Sequence, residues 1–436
     1  MNKTTLIITC IVAIVFAILP NRAQCQIDPD EDPTQFFQLN TITTAVPFLM
    51  IGPDSRSGAL GDAGVALSPD ANSMHWNPAK MAFIDSELDV SLCYTPWLRA
   101  LVDDMNLAYL SGVDKLNRKQ AVGYALRYFS LGDITFTDEQ GSTLMDFQPA
   151  EFSLDVGFSQ KFTDKFSGGV TGRFIHSNLT GGQVVVGAES KPGISVAADV
   201  GLFYTNKNAN WFGKKGMFNW GMNFSNIGSK MSYTETAARD FIPGNLRIGT
   251  AYKMQIDDYN ALTFTVDLNK LLVPTQPIYH EYNSNIIVSG FDPNIGVATG
   301  MVQSFYDAPG VVTFTDSVDL QPVGPEGSLI DVYHDPSEYT VEPGSIFREE
   351  LREINIGGGL EYEFLDVFAF RAGYFYENYS KGNRQFIAMG AGLKYTVFNI
   401  DLSYIISTTQ QNPLANTLRF TLSLQFSDLE EFLKED

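Results

Sequence analysis

The fold is decided by a short stretch near the carboxyl end of the chain, which reads Leu418-Arg419-Phe420-Thr421-Leu422-Ser423-Leu424-Gln425-Phe426. Apolar and polar side chains alternate throughout this stretch. Because successive side chains of a β-strand point to opposite faces, the alternation predicts a strand with one apolar and one polar face. The same pattern recurs in 152–159, 218–225 and 262–269, so the sequence predicts many such strands.

Segments of this kind occur about fourteen times between residues 87 and 426. Even strand numbers, and strands of about 9–11 residues, are typical of bacterial outer-membrane barrels. The fold class that we predict is therefore all-β, a transmembrane outer-membrane β-barrel of about 14 antiparallel strands with an N-terminal segment in its lumen. The predicted strands are 87–95, 103–113, 120–131, 150–162, 166–178, 193–205, 216–227, 245–254, 260–269, 353–364, 367–377, 385–395, 397–407 and 417–426.

The connections between these strands alternate between short and long. Short turns such as 163–165 and 365–366 are followed by long loops such as 178–192 and 228–244. Outer-membrane barrels have short periplasmic turns and longer extracellular loops, so the alternation supports a barrel. A soluble β-sandwich is the alternative, because period-2 strands by themselves do not exclude it.

The first residues are typical of a secretory signal peptide. Lys3 precedes an apolar run over 6–19, which is too short to span a bilayer as a helix, and Ala23 is a suitable small residue before a cleavage point. Cleavage after Cys25 is equally compatible with the pattern. A lipoprotein acylated at Cys25 is a further alternative, although Gln24 is a poor residue before an acylated cysteine.

Composition excludes several classes of function. The formal net charge is −21, which disfavours nucleic-acid binding. The three cysteines are Cys10, Cys25 and Cys93, so the mature chain has no disulfide framework and no cysteine metal cluster. No Asp-x-Asp-x-Asp-Gly calcium loop occurs. We therefore predict neither a metal site nor a cofactor, and we expect the surface to meet outer-membrane lipid and lipopolysaccharide.

The connection 270–352 is far longer than most loops. From Leu271 to Phe347 it carries ten Asp or Glu and no Lys or Arg. A mobile acidic linker is one interpretation. Its apolar and aromatic content favours the other, a folded extracellular excursion that binds a partner. The partner-binding residues that we predict are Trp97 and Leu98 in the first outer loop, and Phe291, Phe305 and Tyr306 in this long loop.

The segment before the first strand is rich in small residues. Residues 57–66 read Ser-Gly-Ala-Leu-Gly-Asp-Ala-Gly-Val-Ala, and 76–79 read Trp-Asn-Pro-Ala. Glycines permit close backbone approach and positive φ, and Asn-Pro is a turn signal. The pattern predicts a compact hatch inside the barrel, anchored by Trp76. The predicted hatch residues are Gly58, Gly61, Gly64, Trp76, Asn77 and Pro78.

The predicted organisation is a signal peptide at 1–23, an N-terminal hatch or plug at 24–86, a barrel at 87–426 and an acidic periplasmic tail at 427–436. The hatch elements resemble those of the FadL family of outer-membrane transporters. The sequence of about residues 40–140 is similar to that of the PorV family, the FadL-like outer-membrane components of the type IX secretion system. The similarity includes Tyr94-Thr-Pro-Trp-Leu-Arg99 and the stretch 127–138.

The resemblance implies a secretion protein of the bacterial outer membrane. It implies association with a SprA-type translocon barrel and receipt of secreted cargo through the C-terminal domain of the cargo. It also implies delivery of that cargo to a cell-surface attachment complex of the PorU sortase with PorQ and PorZ. PorV-like proteins have also been linked to lipopolysaccharide O-deacylation, but we predict no enzyme.

Two alternatives from other functional classes remain open. A FadL-like transporter of hydrophobic small molecules would use a lumen lined by apolar hatch residues such as 48–51. A lipopolysaccharide O-deacylase would need a serine nucleophile with a histidine and an acid. Asp54-Ser55 with His75 is the pairing that the hatch offers, but no Gly-x-Ser-x-Gly elbow occurs, so we predict no catalytic residue.

Overall fold

The structure is a computed structural model that describes residues 39–427, except 100–101, 103, 138–139, 183, 186–187, 212, 235–238, 281–282, 315–338, 409–413 and 415. The expected signal peptide 1–23, its alternative cleavage point at Cys25 and residues 428–436 of the expected tail lie outside the described residues.

Fourteen antiparallel strands close into one barrel, and the predicted fold class is confirmed. The ring closes by antiparallel pairing of the first strand with the last, from Leu88 opposite Phe426 to Tyr94 opposite Phe420. In chain order, strands β1 to β14 are Leu88–Pro96, Asn106–Asp114, Gln120–Ser130, Ala150–Lys161, Phe166–Asn178, Gly193–Trp211, Lys214–Gly228, Asn245–Gln255, Asn260–Leu271, Asn355–Phe364, Phe368–Tyr376, Gln385–Tyr395, Phe398–Ser407 and Leu418–Phe426.

The last strand has the orientation that its alternation predicts. Leu418, Phe420 and Leu422 are exposed on the outer face of the barrel, whereas Arg419 and Thr421 are buried inside it. In this strand, apolar side chains therefore meet lipid, and polar side chains face the lumen.

Leu422→Arg is expected to impair barrel assembly, because it places a charge on the lipid face near the middle of β14, at a cost of about 2–4 kcal/mol. Leu418→Arg is the control. It lies at the outer end of the same face, where the cost falls to about 0–1 kcal/mol. The measurement is folding yield into vesicles, read from heat-modifiable gel mobility. Equal yields for the two variants would contradict the depth assigned to Leu422.

Thr421, on the lumenal face of the same strand, is not suitable as a control position. Its hydroxyl oxygen accepts a hydrogen bond from the Ser55 amide at 2.9 Å, and the side chain is 3% exposed. An arginine at this position would therefore collide with the hatch rather than reach open water.

One hairpin is longer than expected. The sequence predicts strand ends at 205 and 216, but β6 continues to Trp211 and β7 begins at Lys214. A register shift between Asn206 and Ala209 absorbs the irregularity, and the Trp211 ring stacks on Tyr252 of β8 at 4.8 Å between centroids. Residues 209–211, which the sequence predicts to lie in a turn, are therefore paired with β7, and the stacked rings stabilise this end of the hairpin.

The long outer loop, residues 270–352, is folded wherever the structure describes it. It forms two small hairpins, Ile278–His280 with Asn283–Ser289 and Val312–Phe314 with Tyr339–Val341. Two α-helices, Val297–Gln303 and Ser345–Arg352, complete it.

The described part of the hatch is residues 39–86, and from Ala45 onward it lies mostly buried within the barrel as a series of short turns of helix. These are Pro47–Met50, Ser55–Gly58, Ser73–Trp76 and Pro78–Phe83. Helices over the described residues are all too short or too polar to cross a bilayer.

Candidate functional site

The hatch rests on glycines of the barrel wall. Gly61 has φ +73°, and a Cβ there would lie 2.3 Å from the Tyr374 carbonyl oxygen of β11. From the wall side, a Cβ on Gly357 or Gly373 would come within 2.2 or 2.3 Å of the Gly61 backbone. The hatch backbone therefore packs directly against β10 and β11, with no room for side chains between them.

The other predicted hatch residues are also buried in the lumen. A Cβ on Gly58 would meet the Arg419 guanidinium, and one on Gly64 would enter the Trp76 ring at 2.3 Å. The Asn77 side-chain amide donates to the Leu202 carbonyl of β6 at 2.9 Å. Pro78 begins the 3₁₀ helix that follows.

Trp76 lies at the centre of the hatch and is 1% exposed. Its indole N–H donates to Asp54 Oδ1 at 2.5 Å, and Asp54 also accepts from the Ser57 amide as the cap of a helical turn. The Arg247 guanidinium of β8 lies 4.6 Å from the centroid of the ring. The indole thus links two parts of the hatch to the wall.

A buried ion-pair cluster ties the hatch to three strands. The Glu361 carboxylate of β10 accepts from Arg56 Nε and Nη2 at 2.9 and 2.8 Å, and from Arg371 Nε of β11 at 2.7 Å. Arg371 in turn donates to Asp401 of β13 at 2.6 Å. Because two guanidinium groups share one carboxylate in a buried site, Arg56 cannot leave without exposing unbalanced charge.

Two further carboxylates hold hatch groups directly. Asp267 Oδ2 of β9 accepts from the Gly64 and Val65 amides at 2.7 and 2.9 Å. Asp62 of the hatch pairs with Arg419 of β14 at 2.6 Å. These contacts satisfy buried backbone and charged groups that would otherwise be costly to leave inside the barrel.

An apolar cluster closes the lumen at the end that carries the long loops. Phe48 and Leu49 are buried in it, and Phe48 stacks on Phe129 with ring centroids 6.2 Å apart. Below the cluster, Arg127 donates to the Phe48 and Leu49 carbonyls at 3.1 and 2.8 Å. Phe48, Leu49 and Ile51 are therefore engaged in packing within this cluster.

The periplasmic end of the lumen holds a cavity of about 530 Å³. Charged side chains from the hatch and from the strand ends line it, including Arg56, Asp70, Asp89, Lys253, Glu361 and Lys394. The lumen is thus lined by charged groups below the hatch and packed with apolar groups above it.

The residues predicted to bind partners lie in two different environments. Phe291, Phe305 and Tyr306, the aromatic patch, are 48%, 50% and 51% exposed on the long outer loop. Phe291 and Tyr306 meet edge to face with centroids 5.6 Å apart. Trp97 and Leu98 are instead half-buried against apolar clusters of the barrel interior, so they are less accessible than the aromatic patch and their role in binding stays a prediction.

Ion pairs hold the base of the long outer loop against the top of the barrel. Lys270 pairs with Glu350 and Glu353 at 3.2 and 2.7 Å, and Lys381 pairs with Glu349 and Glu353 at 2.6 and 3.0 Å. Burial raises the pKa of the neighbouring Asp307 to about 6, and the nearby glutamates act in the same direction. The aromatic patch is therefore displayed on a fixed platform.

A family model described as "Type IX secretion system protein PorV" matches residues 34–278, which is more than half of the chain. The chain belongs to the PorV family. It is therefore an outer-membrane protein of type IX secretion, and the family implies that it associates with other components of that system. The location expected from the sequence is confirmed by the family together with the closed barrel.

Solved structures similar to this PorV-family chain include the toluene transporter TbuX of Ralstonia pickettii, with 10% identity, a TM-score of 0.43, and coverage of 89% of this chain and 100% of that chain. A FadL homologue of Pseudomonas aeruginosa has 12% identity and a TM-score of 0.41 over 89% and 99%. The toluene transporter TodX of Pseudomonas putida has 12% identity and a TM-score of 0.42 over 88% and 98%. No curated protein matches the chain.

The residues considered for catalysis have structural partners in this PorV-family protein. The Ser55 hydroxyl accepts from Thr421 at 3.1 Å, and His75 Nδ1 lies 2.6 Å from Arg127 Nη2. Within the described residues, no hydrogen bond joins Ser55, His75 and Asp54 to one another as a triad requires. Nor do the described residues include a group of three or more His, Cys, Asp or Glu placed to hold a metal ion.

The wall glycines are the site feature that sequence reasoning missed. Gly169, Gly201 and Gly221 face the lumen, and a Cβ on each would come within 2.5 Å of hatch atoms. The sequence does indicate them, because these glycines stand at lumen-facing positions of strands in which apolar and polar residues otherwise alternate. Glycine on such a face indicates a closely approaching backbone.

Proposed function

We propose that this PorV-family protein works through its extracellular surface. It associates with a SprA-type translocon barrel, receives secreted cargo through the C-terminal domain of the cargo, and passes the cargo to the cell-surface attachment complex of the PorU sortase with PorQ and PorZ. The observation that carries the proposal is a lumen occupied by the hatch and by an apolar cluster, beneath an outer loop that displays the aromatic patch.

The packed lumen supports an external route for cargo. The hatch is joined to β9, β10 and β14 through Asp267, Glu361 and Arg419, and the apolar cluster fills the space above it. A folded protein domain cannot pass through such a lumen, so cargo handling is assigned to the loops.

The aromatic patch has the character of a protein-docking anchor. Large aromatic side chains that stay half-exposed on a rigid platform lose little conformational entropy on binding, and they contribute much of the affinity of protein interfaces. Lys270 lies 5.6 Å from the Phe305 centroid, while the rest of the long outer loop is acidic. That acidic field favours basic partner surfaces and makes docking sensitive to salt.

Combined Phe291→Ser, Phe305→Ser and Tyr306→Ser substitutions are expected to lower capture of cargo C-terminal domain or translocon in pull-downs by at least about tenfold, because each removes an aromatic anchor. These substitutions test the aromatic patch more specifically than replacing residues 284–343 by a Gly/Ser linker would. That replacement would also remove the Ala308 and Gly310 amides, which donate to Glu350 and Glu349.

The matched control is Leu116→Ser with Tyr259→Ser, two residues that are 55% and 62% exposed at the periplasmic end. It should capture partners as the unmodified protein does. Unchanged capture by the patch variant would remove the long outer loop from the proposal and move the docking site to another part of the surface.

A FadL-like transporter of hydrophobic small molecules is the alternative. The observation in its favour is the cavity of about 530 Å³ at the periplasmic end. Its charged lining suits an apolar ligand poorly, because ligand pockets of that kind are lined mainly by apolar and aromatic groups. Bound lipid without captured cargo or translocon in the purified protein would favour this alternative.

A further inference from the structure

Two glutamates of the Ser345–Arg352 helix in the long outer loop make contacts with the loop and the barrel, while three apolar side chains of the helix are exposed. Glu349 accepts from the Gly310 amide and pairs with Lys381, while Glu350 accepts from the Ala308 amide and pairs with Lys270. These buried contacts fix the rotation of the helix about its axis. The face left at the surface carries Ile346, Phe347 and Leu351, which are 42%, 69% and 52% exposed.

This helix directly precedes the outer end of β10. It ends at Arg352, and β10 begins at Asn355, so its last turn is within two residues of the barrel wall. Ile356, the first outward residue of β10, is 43% exposed and pairs with the outward Leu268 of β9. The exposed apolar face of the helix therefore continues the surface that already meets hydrocarbon, at the height of the headgroups.

The charges beside this face are unlike the rest of the loop. Between 271 and 352 the only Lys or Arg residues in the sequence are Arg348 and Arg352, and both are on this helix. Arg348 is 48% exposed in its side chain and pairs with the equally exposed Glu342 at 3.0 Å. Arg352 lies 5.7 Å from the centroid of Tyr379, which is 40% exposed. Arginine beside tyrosine at an interface is the combination that contacts anionic headgroups.

We propose that the Ser345–Arg352 helix is an interfacial anchor that inserts Ile346, Phe347 and Leu351 into the outer leaflet and binds a phosphate of an anionic glycolipid headgroup through Arg348 and Arg352. The occupant is a lipid rather than a protein because the apolar face is continuous with the lipid-facing belt. The two arginines complement headgroup phosphates within a loop that otherwise repels them. The anchor also holds the long outer loop at a set height above the membrane.

The insertion is tested with the mature chain in nanodiscs containing lipid A. A bimane fluorophore is attached at Phe347→Cys or, as control, at Tyr306→Cys, in a Cys25→Ser background in which Cys93 is buried. Nitroxide-labelled lipids are expected to quench the fluorophore at 347 at least about twofold more than at 306, because only the helix face enters the leaflet. Equal quenching at the two positions would overturn the insertion.

The phosphate contact is tested by native mass spectrometry of the detergent-extracted protein with added lipid A or phosphatidylcholine. Arg348→Gln with Arg352→Gln is expected to lower lipid A retention at least about fivefold and to leave phosphatidylcholine retention unchanged. Arg99→Gln, in the first outer loop, is the control and should retain both. An equal loss of both lipids, or no loss, would overturn the headgroup assignment. Shielding of position 347 by cargo or translocon and not by lipid would assign the face to a protein. Heat-modifiable mobility verifies that each variant is folded.

Discussion

Valine in place of Gly61 is expected to expel the hatch from the barrel lumen. Gly61 has a φ of +73°, which a β-branched residue adopts only with strain, and its Cβ would lie 2.3 Å from a backbone oxygen of β11. Backbone strain and overpacking each cost about 1–3 kcal/mol, and neither neighbouring strand can move without breaking its ladder. The seated hatch should therefore lose most of its stability relative to a displaced one.

The displaced hatch is measured in two ways. Limited proteolysis should cleave within residues 40–85 of the Gly61→Val protein, and planar bilayers should show an ion conductance that the unmodified barrel lacks. Gly172→Val is the control, because Gly172 is an exposed strand residue with open space around its Cβ position. A protease-resistant, non-conducting Gly61→Val barrel would contradict the close packing of Gly61 against β11.

The second large effect is expected from Glu361→Gln. The substitution removes the negative charge shared by Arg56 and Arg371 in a site where the Glu361 side chain is 1% exposed. Removing one partner of a buried ion pair costs about 3–5 kcal/mol, because the remaining charge is left desolvated. The urea concentration at which the hatch leaves the lumen should fall strongly, as followed by the onset of protease cleavage within 40–85.

Glu363→Gln is the matched control for this substitution, since Glu363 lies two residues further along β10 and pairs with Lys253. The Lys253 and Glu363 side chains are 29% and 17% exposed. The Glu363→Gln substitution should therefore lower the stability of the seated hatch by no more than about 1 kcal/mol. Similar shifts for the two variants would show that the Arg56–Glu361–Arg371 cluster does not fasten the hatch.

The strands could be predicted from sequence because the membrane imposes a simple rule on each of them. Residues that face lipid must be apolar, and residues that face the lumen need not be, so a period of two is visible in strands such as β4, β9 and β14. The same rule fixes the register of β14, where Leu422 faces out and Arg419 faces in. Strand ends are less certain, as the β6–β7 hairpin shows, because cross-strand packing by Trp211 decides them.

The loops and the inner contacts could not be predicted in the same way. Trp97 looked like an exposed anchor, but nothing local tells whether a loop folds over the barrel mouth or away from it. The buried cluster of Arg56, Glu361 and Arg371 joins residues more than 300 positions apart, which periodicity cannot detect. The inward glutamates of the Ser345–Arg352 helix likewise depend on Lys270, 80 positions away from Glu350.

The seam where β1 meets β14 has a consequence for the order in which the protein is assembled. Hatch groups contact both strands of the seam. The Asn72 side-chain amide donates to the Ser91 hydroxyl of β1 at 3.2 Å, and the Ser55 backbone N–H donates to the Thr421 hydroxyl of β14 at 2.9 Å. The second contact joins residues 366 positions apart, so half of the seat exists only once the last strand has been made. A ring that zipped shut around an empty lumen could be filled afterwards only by threading the chain through a narrow mouth. The hatch therefore bridges the two strands that close the ring, and its contacts can stabilise this seam only once β14 is in place.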